Sequence, residues 1–288
     1  MEIDALKIGV ASGKGGTGKT TVAVSLALAA RELGEVTLAD CDVEEPNDHL
    51  FLNPEITRRE SVDLLIPQVD EDICTYCGIC AKACRFGAIA VIGNKVILHK
   101  DLCHGCGLCA YVCPVDAITE VPHGIGVVEF GRAQGLDFIS GLLNTGEAMA
   151  TPVVQAIKKA LPERGLVILD APPGTGCPVI ATLKGVDFAL LVTEPTPFGL
   201  HDLKLAVEVV RAMGIPTGVV ISKDGIGTDE VDRYLEEEGI PILLRIPMDR
   251  RIAASYAEGI PLVKALPEWR DRFVELLQTI ADKVGVLR

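Results

Sequence analysis

Two constellations in this chain are spaced for chemistry. One is a glycine-rich run with two lysines, GKGGTGKT at 13–20; the other is a pair of matching cysteine runs, CTYCGICAKAC at 74–84 and CHGCGLCAYVC at 103–113. In the first, Gly13, Gly15, Gly16 and Gly18 let the backbone curl so that successive N–H groups point at phosphate oxygens. Lys19 is placed to touch the terminal phosphates. Thr20 offers its hydroxyl to Mg2+, which requires that residue directly after the lysine at a helix start. The expected nucleotide contacts are Gly13, Lys14, Gly15, Gly16, Thr17, Gly18, Lys19, Thr20 and Thr21. A merely flexible glycine loop is the bland alternative, which the full spacing and its context disfavour.

The cysteines repeat as a block. Cys74, Cys77, Cys80 and Cys84 recur 29 residues later as Cys103, Cys106, Cys109 and Cys113, and Ala88-Ile89 recurs as Ala117-Ile118, so the duplication extends beyond the thiols. In C-x2-C-x2-C three thiolates wrap one iron–sulfur cube, while the fourth cysteine, further along, points at the other cube. Ligation is therefore expected to cross between halves, with Cys74, Cys77, Cys80 and Cys113 on one cluster and Cys84, Cys103, Cys106 and Cys109 on the other. The module resembles a bacterial-type ferredoxin with two 4Fe–4S clusters. Structural zinc is the alternative for paired C-x2-C elements, but four ligands per ion leave the duplication unexplained. Arg85 follows the last cysteine of the first half and Pro114 that of the second. A cation beside one cluster would raise its potential or attract an acidic partner; a solvated arginine explains the residue equally well. His104 is read as a surface residue.

These residues need a frame. Leu6–Ala11 reads as a strand entering the glycine loop, and TTVAVSLALAARELG as the helix leaving it. Apolar runs at 36–40, 166–170, 188–193, 218–222 and 242–246 read as further strands, with helical patterns at 200–213 and 229–238. Strands alternating with helices predict an α/β fold with a doubly wound, mostly parallel sheet. The cysteine module is expected as a small inserted α+β domain at 67–122, bounded by Pro67 and Pro122, between ATPase parts at 1–66 and 123–288. Its place after the second strand brings it near residues 40–50, although any permissive surface loop would also accept an insertion. The run from Pro267 to Val286 places Phe273, Leu276, Leu277, Ile280 and Val284 at helical spacing; a membrane-targeting helix is the alternative, but its acidic residues favour a helix packed on the sheet. Cys41 and Cys177 fall outside the repeat; Cys177 is read as a small packing residue, with a site for transient metal or cluster contact as the alternative.

The run KGGTGKT resembles the deviant Walker A motif of the MinD/ParA/Mrp-like P-loop ATPases, relatives of the nitrogenase iron protein. The resemblance implies that Lys14 reaches the nucleotide of a second subunit, so that two ATP molecules are sandwiched in a homodimer. CDVEEPN at 41–47 looks like the family's first switch, with Asp42 orienting the attacking water. LVILD at 166–170 followed by APPGTG looks like Walker B and a second switch, with Asp170 holding Mg2+ or its water. The implied catalytic residues are Lys14, Lys19 and Asp42, and the implied Mg2+ set is Thr20, Asp42 and Asp170. For Asp40 a structural and a catalytic role both stay open. The family often carries a base-reading Asn after the strand ending at Ile221; here Ser222-Lys223 stands there, which leaves the base preference open. Pro247-Met248-Asp249 is a second expected base-side loop.

Composition sets the outer limits. A net charge of -13 over 288 residues speaks against a general nucleic-acid surface, and no apolar run is long enough to cross a bilayer. With ten cysteines and no basic-plus-apolar leader, a reducing cytoplasm is the expected home. The combined expectation is a dimeric, slowly hydrolysing ATPase using ATP/ADP, Mg2+ and two 4Fe–4S clusters. It would couple nucleotide state to assembly or transfer of a metal–sulfur cofactor on a metalloprotein or redox partner. An ATP-gated electron donor and a positioning or scaffold ATPase with structural clusters are the rivals.

Overall fold

The central strands are apolar on both faces, which is the pattern of a sheet covered by helices on each side. In the computed structural model, which describes residues 5–286, they are laid out accordingly. In chain order the strands are β1 (Ala5–Ala11), β2 (Val36–Asp40), β3 (Glu55–Val69), β4 (Ile89–Val91), β5 (Val96–Leu98), β6 (Ile118–Ala133), β7 (Leu136–Leu143), β8 (Gly165–Asp170), β9 (Phe188–Thr193), β10 (Thr217–Asp224) and β11 (Ile242–Pro247). Among the described residues nine of them form one sheet in the order β11-β10-β9-β1-β8-β2-β7-β6-β3. Every pairing from β11 to β7 is parallel; β6 and β3 are added antiparallel at one edge.

Alternation along these strands feeds two separate cores. Leu166 and Ile168 of β8 face one core, Val167 and Leu169 the other; Phe188, Leu190 and Val192 of β9 separate from Ala189 and Leu191 in the same way. The first core is closed by the helices Lys19–Ala30 and Trp269–Val284. Helix Lys19–Ala30 is apolar nearly all round because it lies between the sheet and the carboxy-terminal helix. That last helix buries Trp269, Phe273, Leu276, Leu277 and Ile280, and Val284 packs partly buried against the same core, as the apolar spacing predicts. The second core is closed by helices Ala150–Lys159, Cys177–Leu183, Pro197–Ala212 and Glu230–Glu237.

The antiparallel edge leads to the cysteines. β6 pairs with β7 only from Gly126 to Ala133, so Ile118–Gly124 and their partners on β3, Asp63–Val69, continue beyond the sheet as a two-stranded ribbon. At roughly 3.3 Å per residue this arm projects about 20 Å. A register shift between Val62 and Asp63 leaves Ile125 as an extra, fully buried residue at the base of the arm. Pro67 and Pro122, expected at the exits of the module, lie inside the paired strands, opposite Glu120 and Leu65. Beyond the arm follow a short helix Ile79–Ala83, the hairpin β4–β5, and a second short helix Leu108–Tyr111. The duplication is kept in the backbone. Asp70 N–H donates to Ala117 O at 2.8 Å, and the residue 29 positions on, His99, donates to Ala88 O at 2.8 Å.

Candidate functional site

In a doubly wound sheet the carboxyl ends of the strands form the ligand crevice. Here those ends carry the charged residues. The glycine loop follows β1, Asp40 ends β2, Asp170 ends β8, Glu194 follows β9, and Ser222 and Lys223 lie near the end of β10. At these ends lies a cavity of about 460 Å³ lined by the loop from Lys14 to Thr21, by Asp42, Glu45 and Asn47, by Ser222 and Lys223, and by Met248, Asp249, Ile252 and Tyr256; Asp40, Asp170 and Glu194 stand behind its wall. Gly13 is absent from the wall. A Cβ there would stand 2.2 Å from the carbonyl oxygen of Asp202, so this glycine serves close packing on helix Pro197–Ala212. Gly18, with φ 88°, turns the chain into the helix that begins at Lys19.

Lys19 and Thr20 converge on one carboxylate. Lys19 Nζ lies 2.7 Å from Asp170 Oδ1, and Thr20 Oγ1 donates to Asp170 Oδ2 at 2.7 Å. Burial alone would lower the Lys19 ammonium, but Asp170 outweighs it and holds the pKa above its ordinary value. A magnesium ion would compete for the same threonine and aspartate oxygens, so the donor set suits a hard cation. Asp42 lines the cavity beside them. Burial pushes its carboxyl up to about 6, with Lys19 opposing the shift and Asp170 adding to it.

Asp40 is structural. Its oxygens accept the backbone N–H groups of Asp42, Asn47 and Asp48 at 3.0–3.1 Å, fixing the curl of residues 41–48. The same curl buries Asp48 completely, and among the described residues neither of its oxygens meets a hydrogen-bond donor. Burial, then the neighbouring Asp40 and Asp170, raise its pKa well above its ordinary value, with Lys19 opposing the shift. Sequence reading passes over Asp48; its one cue is its place at the start of the short helix Asp48–Leu52.

Glu194 is the second residue that sequence reading misses, although it too is an acid at a strand end. Its carboxylate lies 2.5 Å from Lys14 Nζ and 2.9 Å from Lys223 Nζ. Burial disfavours the charge, but the two lysines hold the carboxyl below the usual range. Ser222, standing where a base-reading residue is expected, turns to the loop instead. Its hydroxyl donates to Thr17 O and, at 3.1 Å, to Thr193 O, while Lys223 Nζ donates to Gly16 O at 3.0 Å. Of the base-side loop, Pro247, Met248 and Asp249 all line the cavity.

The eight repeated cysteines form two groups. One small cavity is lined by Cys74, Cys77, Cys80 and Cys113; a second is lined by Cys84, Cys103, Cys106 and Cys109. Each takes three thiols from one half and one from the other. Backbone N–H groups are aimed at the crossing sulfurs: Ala88 N donates to Cys84 Sγ and Ala117 N to Cys113 Sγ, both at 3.3 Å. Matching large apolar residues stand exposed in the two halves, Ile73, Ile79 and Phe86 in one and Leu102, Leu108 and Val115 in the other; of these, Phe86 and Leu108 line the cavity of Cys103 and Val115 that of Cys74. Four soft thiolates, sulfur-directed N–H groups and an apolar rim fit an iron–sulfur centre. Among the described residues no three His, Cys, Asp or Glu side chains gather as a site for a single metal ion. Cys41 is fully buried and its thiol is pushed up by burial, whereas Cys177 is exposed at the start of its helix and not the packing residue expected.

Comparison with known proteins bears on the frame more than on the module. The family model described as the CobQ/CobB/MinD/ParA nucleotide binding domain matches residues 8–262. An uncharacterised protein of Methanocaldococcus jannaschii is 37% identical over 226 residues, covering 77% of this chain and 79% of its own. An iron-sulfur cluster carrier protein of Methanococcus maripaludis is 24% identical over 299 residues, covering 96% and 85%. Among solved structures, the septum site-determining protein MinD of Pyrococcus horikoshii, complexed with Mg-ADP, superposes with a TM-score of 0.60 at 20% identity over 98% of both chains. That likeness shows the fold. Among the described residues no helix is long and apolar enough to cross a membrane.

Proposed function

Because the chain belongs to the CobQ/CobB/MinD/ParA family of nucleotide-binding domains, we propose that it is a homodimeric, slowly hydrolysing ATPase whose nucleotide state governs the assembly or transfer of a metal–sulfur cofactor on a partner protein. One observation carries the reading: eight thiols, sorted into two four-cysteine cavities, stand at the end of an arm that grows out of the first switch. From Asp42 the chain passes through the buried Asp48 and the helix Asp48–Leu52 directly into β3, and β3 runs to within a few residues of Cys74. Phe51 of that helix packs on Tyr256 of the nucleotide cavity, with ring centroids 5.5 Å apart. A change at the nucleotide therefore has a route to the module along a continuous stretch of chain, held by strand pairing with β6.

In this reading the loop N–H groups, Lys19 and the partner subunit's Lys14 hold the phosphates. Thr20, Asp42 and Asp170 hold Mg2+ or its water, and Asp42 orients the water that attacks the γ-phosphate. ATP favours the closed dimer and hydrolysis reopens it. When bound in the two cavities, 4Fe–4S clusters would supply single electrons of low potential. Complete four-cysteine sets mark them as resident groups, so the cargo is held elsewhere. The same observation favours one rival, an ATP-gated electron donor, in which the reduced clusters serve a partner directly.

A single experiment separates the two. The anaerobically reconstituted protein, reduced and offered a cofactor-free acceptor, is followed for iron on the acceptor and for cluster oxidation, with and without MgATP and with Lys14→Ala. ATP-dependent metal delivery that the variant loses supports the carrier. Oxidation in step with hydrolysis, with no metal leaving the protein, replaces the carrier by the electron donor. If neither responds to ATP, the coupling is wrong.

A further inference from the structure

All three lysines on the wall of the nucleotide cavity are engaged by carboxylates of their own chain: Lys19 by Asp170, and Lys14 and Lys223 both by Glu194. The Lys19 contact belongs to the magnesium machinery. The Glu194 contacts have no place in it, because Glu194 points at the lysine that the dimer reading sends to the other subunit.

The acceptor is built in. The Glu194 carbonyl accepts the N–H of Thr196 at 2.8 Å, and a Cβ on Gly199 would come within 2.1 Å of that same oxygen, so the turn after β9 leaves Glu194 little freedom. Lys223 adopts a left-handed backbone, φ 52°, unusual for a residue with a side chain, and from there its ammonium reaches both Gly16 O and Glu194. Lys14 is the looser member. It sits in the glycine loop, its side chain is 30% exposed against 11% for Glu194, and among the described residues its ammonium has no second acceptor. When Lys14 leaves, Glu194 keeps the Lys223 charge, so no carboxylate is stranded without a counter-ion.

We propose that Glu194 is a cis latch that positions Lys14. It holds the lysine against its own subunit until a partner's nucleotide phosphates compete for it, and Lys223 neutralises Glu194 once Lys14 has gone. The latch rests on the dimer reading above and adds to it a reason for the apo chain to stay apart: the cation needed across the interface is already occupied.

The test measures dimer dissociation constants by analytical ultracentrifugation in a non-hydrolysable ATP analogue and in MgADP, for wild type, Glu194→Gln, Glu194→Asp and Lys223→Met. Glu194→Gln should dimerise about tenfold more tightly and lose part of its preference for triphosphate. Glu194→Asp, which keeps the charge, should restore that preference. Lys223→Met should move the opposite way, to a several-fold weaker dimer, because Lys14 is then the last counter-ion of Glu194; this variant also tests the latch should Glu194→Gln fail to fold. A mere tie between β9 and the loop predicts that both substitutions weaken the dimer together, and that result overturns the proposal. A wild-type dimer indifferent to both substitutions sinks the latch alone. Wild type and variants all remaining monomeric sinks the dimer reading with it.

Discussion

Tyr76 and Gly105 occupy the same place in the two halves of the cysteine module, and both have left-handed backbones, with φ 54° and 59°. One carries a large side chain and the other cannot. A Cβ on Gly105 would stand 2.7 Å from Leu64 Cδ1 and 2.9 Å from the Leu65 carbonyl oxygen, because the second half is docked on the arm. The first half has no such neighbour at that point. The asymmetry spreads from there: Cys103 is buried where its counterpart Cys74 is half-buried, and Leu65, Pro67 and Glu120 wall the second cavity but not the first. Phe86 stacks on His104 with centroids 3.6 Å apart, whereas the equivalent pair is Val115 and Thr75. Duplication supplied two like backbones. Attachment to the arm made their surroundings unlike, so the clusters proposed for them would differ in stability and potential.

The largest expected effect comes from erasing that difference. Gly105→Tyr drives a side chain into the backbone of the arm, which cannot yield as a flexible side chain would. After anaerobic reconstitution the variant should hold about half the iron of wild type. Tyr76→Gly should keep all of it and alter stability by no more than about 1 kcal/mol in thermal melts. Equal iron loss in both would mean that the arm does not distinguish the halves.

Next is the crossing of ligands. Cys113→Ser should spoil the centre shared with Cys74, Cys77 and Cys80, leaving the one beside Phe86 and His104 intact; Cys84→Ser should do the reverse. Low-temperature EPR of the reduced variants reads which centre survives. Damage confined to the half that carries the substitution would refute cross-ligation. The smallest effect is expected at Arg85, whose counterpart is Pro114. Arg85→Gln should lower the potential of the nearer centre by an amount on the order of tens of millivolts in a redox titration, without moving the other. Parallel shifts in both centres would show that the charge acts through the whole module.

What could be read from the sequence follows from how each region is buried. β1, β2, β8, β9 and β10 are covered on both faces and β11 is partly buried at the edge, so they stand out as apolar runs closed by loop residues, and the glycine loop and Asp170 are placed from those runs alone. The cysteine sets are legible from spacing because thiol grouping depends on local turns. β3, β6 and β7 are hidden. β3 reads EITRRESVDLLIPQV, an edge strand whose outer half projects from the sheet, and charges and a proline break any alternation. Arg58, Arg59 and Glu60 suit such an unpaired edge, since charges there oppose further strand addition. Glu194 and Asp48 are obscure for another reason: each is defined by a partner far off in sequence, Lys14 for the first and Asp170 for the second. Ser222, whose presence leaves the base preference open in the sequence, is spent on steadying the loop.

The antiparallel edge also bears on how such a molecule comes to exist. Val69 and Ile118 face each other across a strand pair, so everything between them, both thiol cavities included, is in topological terms an enlarged hairpin turn. Acquiring it required no new strand order, no broken pairing in the parallel sheet and no second linker to be aligned. By the same token, an ancestor closed at that point by a short loop, or a laboratory descendant with residues 70–117 replaced by a two-residue turn, would keep every neighbour of the nucleotide cavity and shed both sets of thiols in one cut.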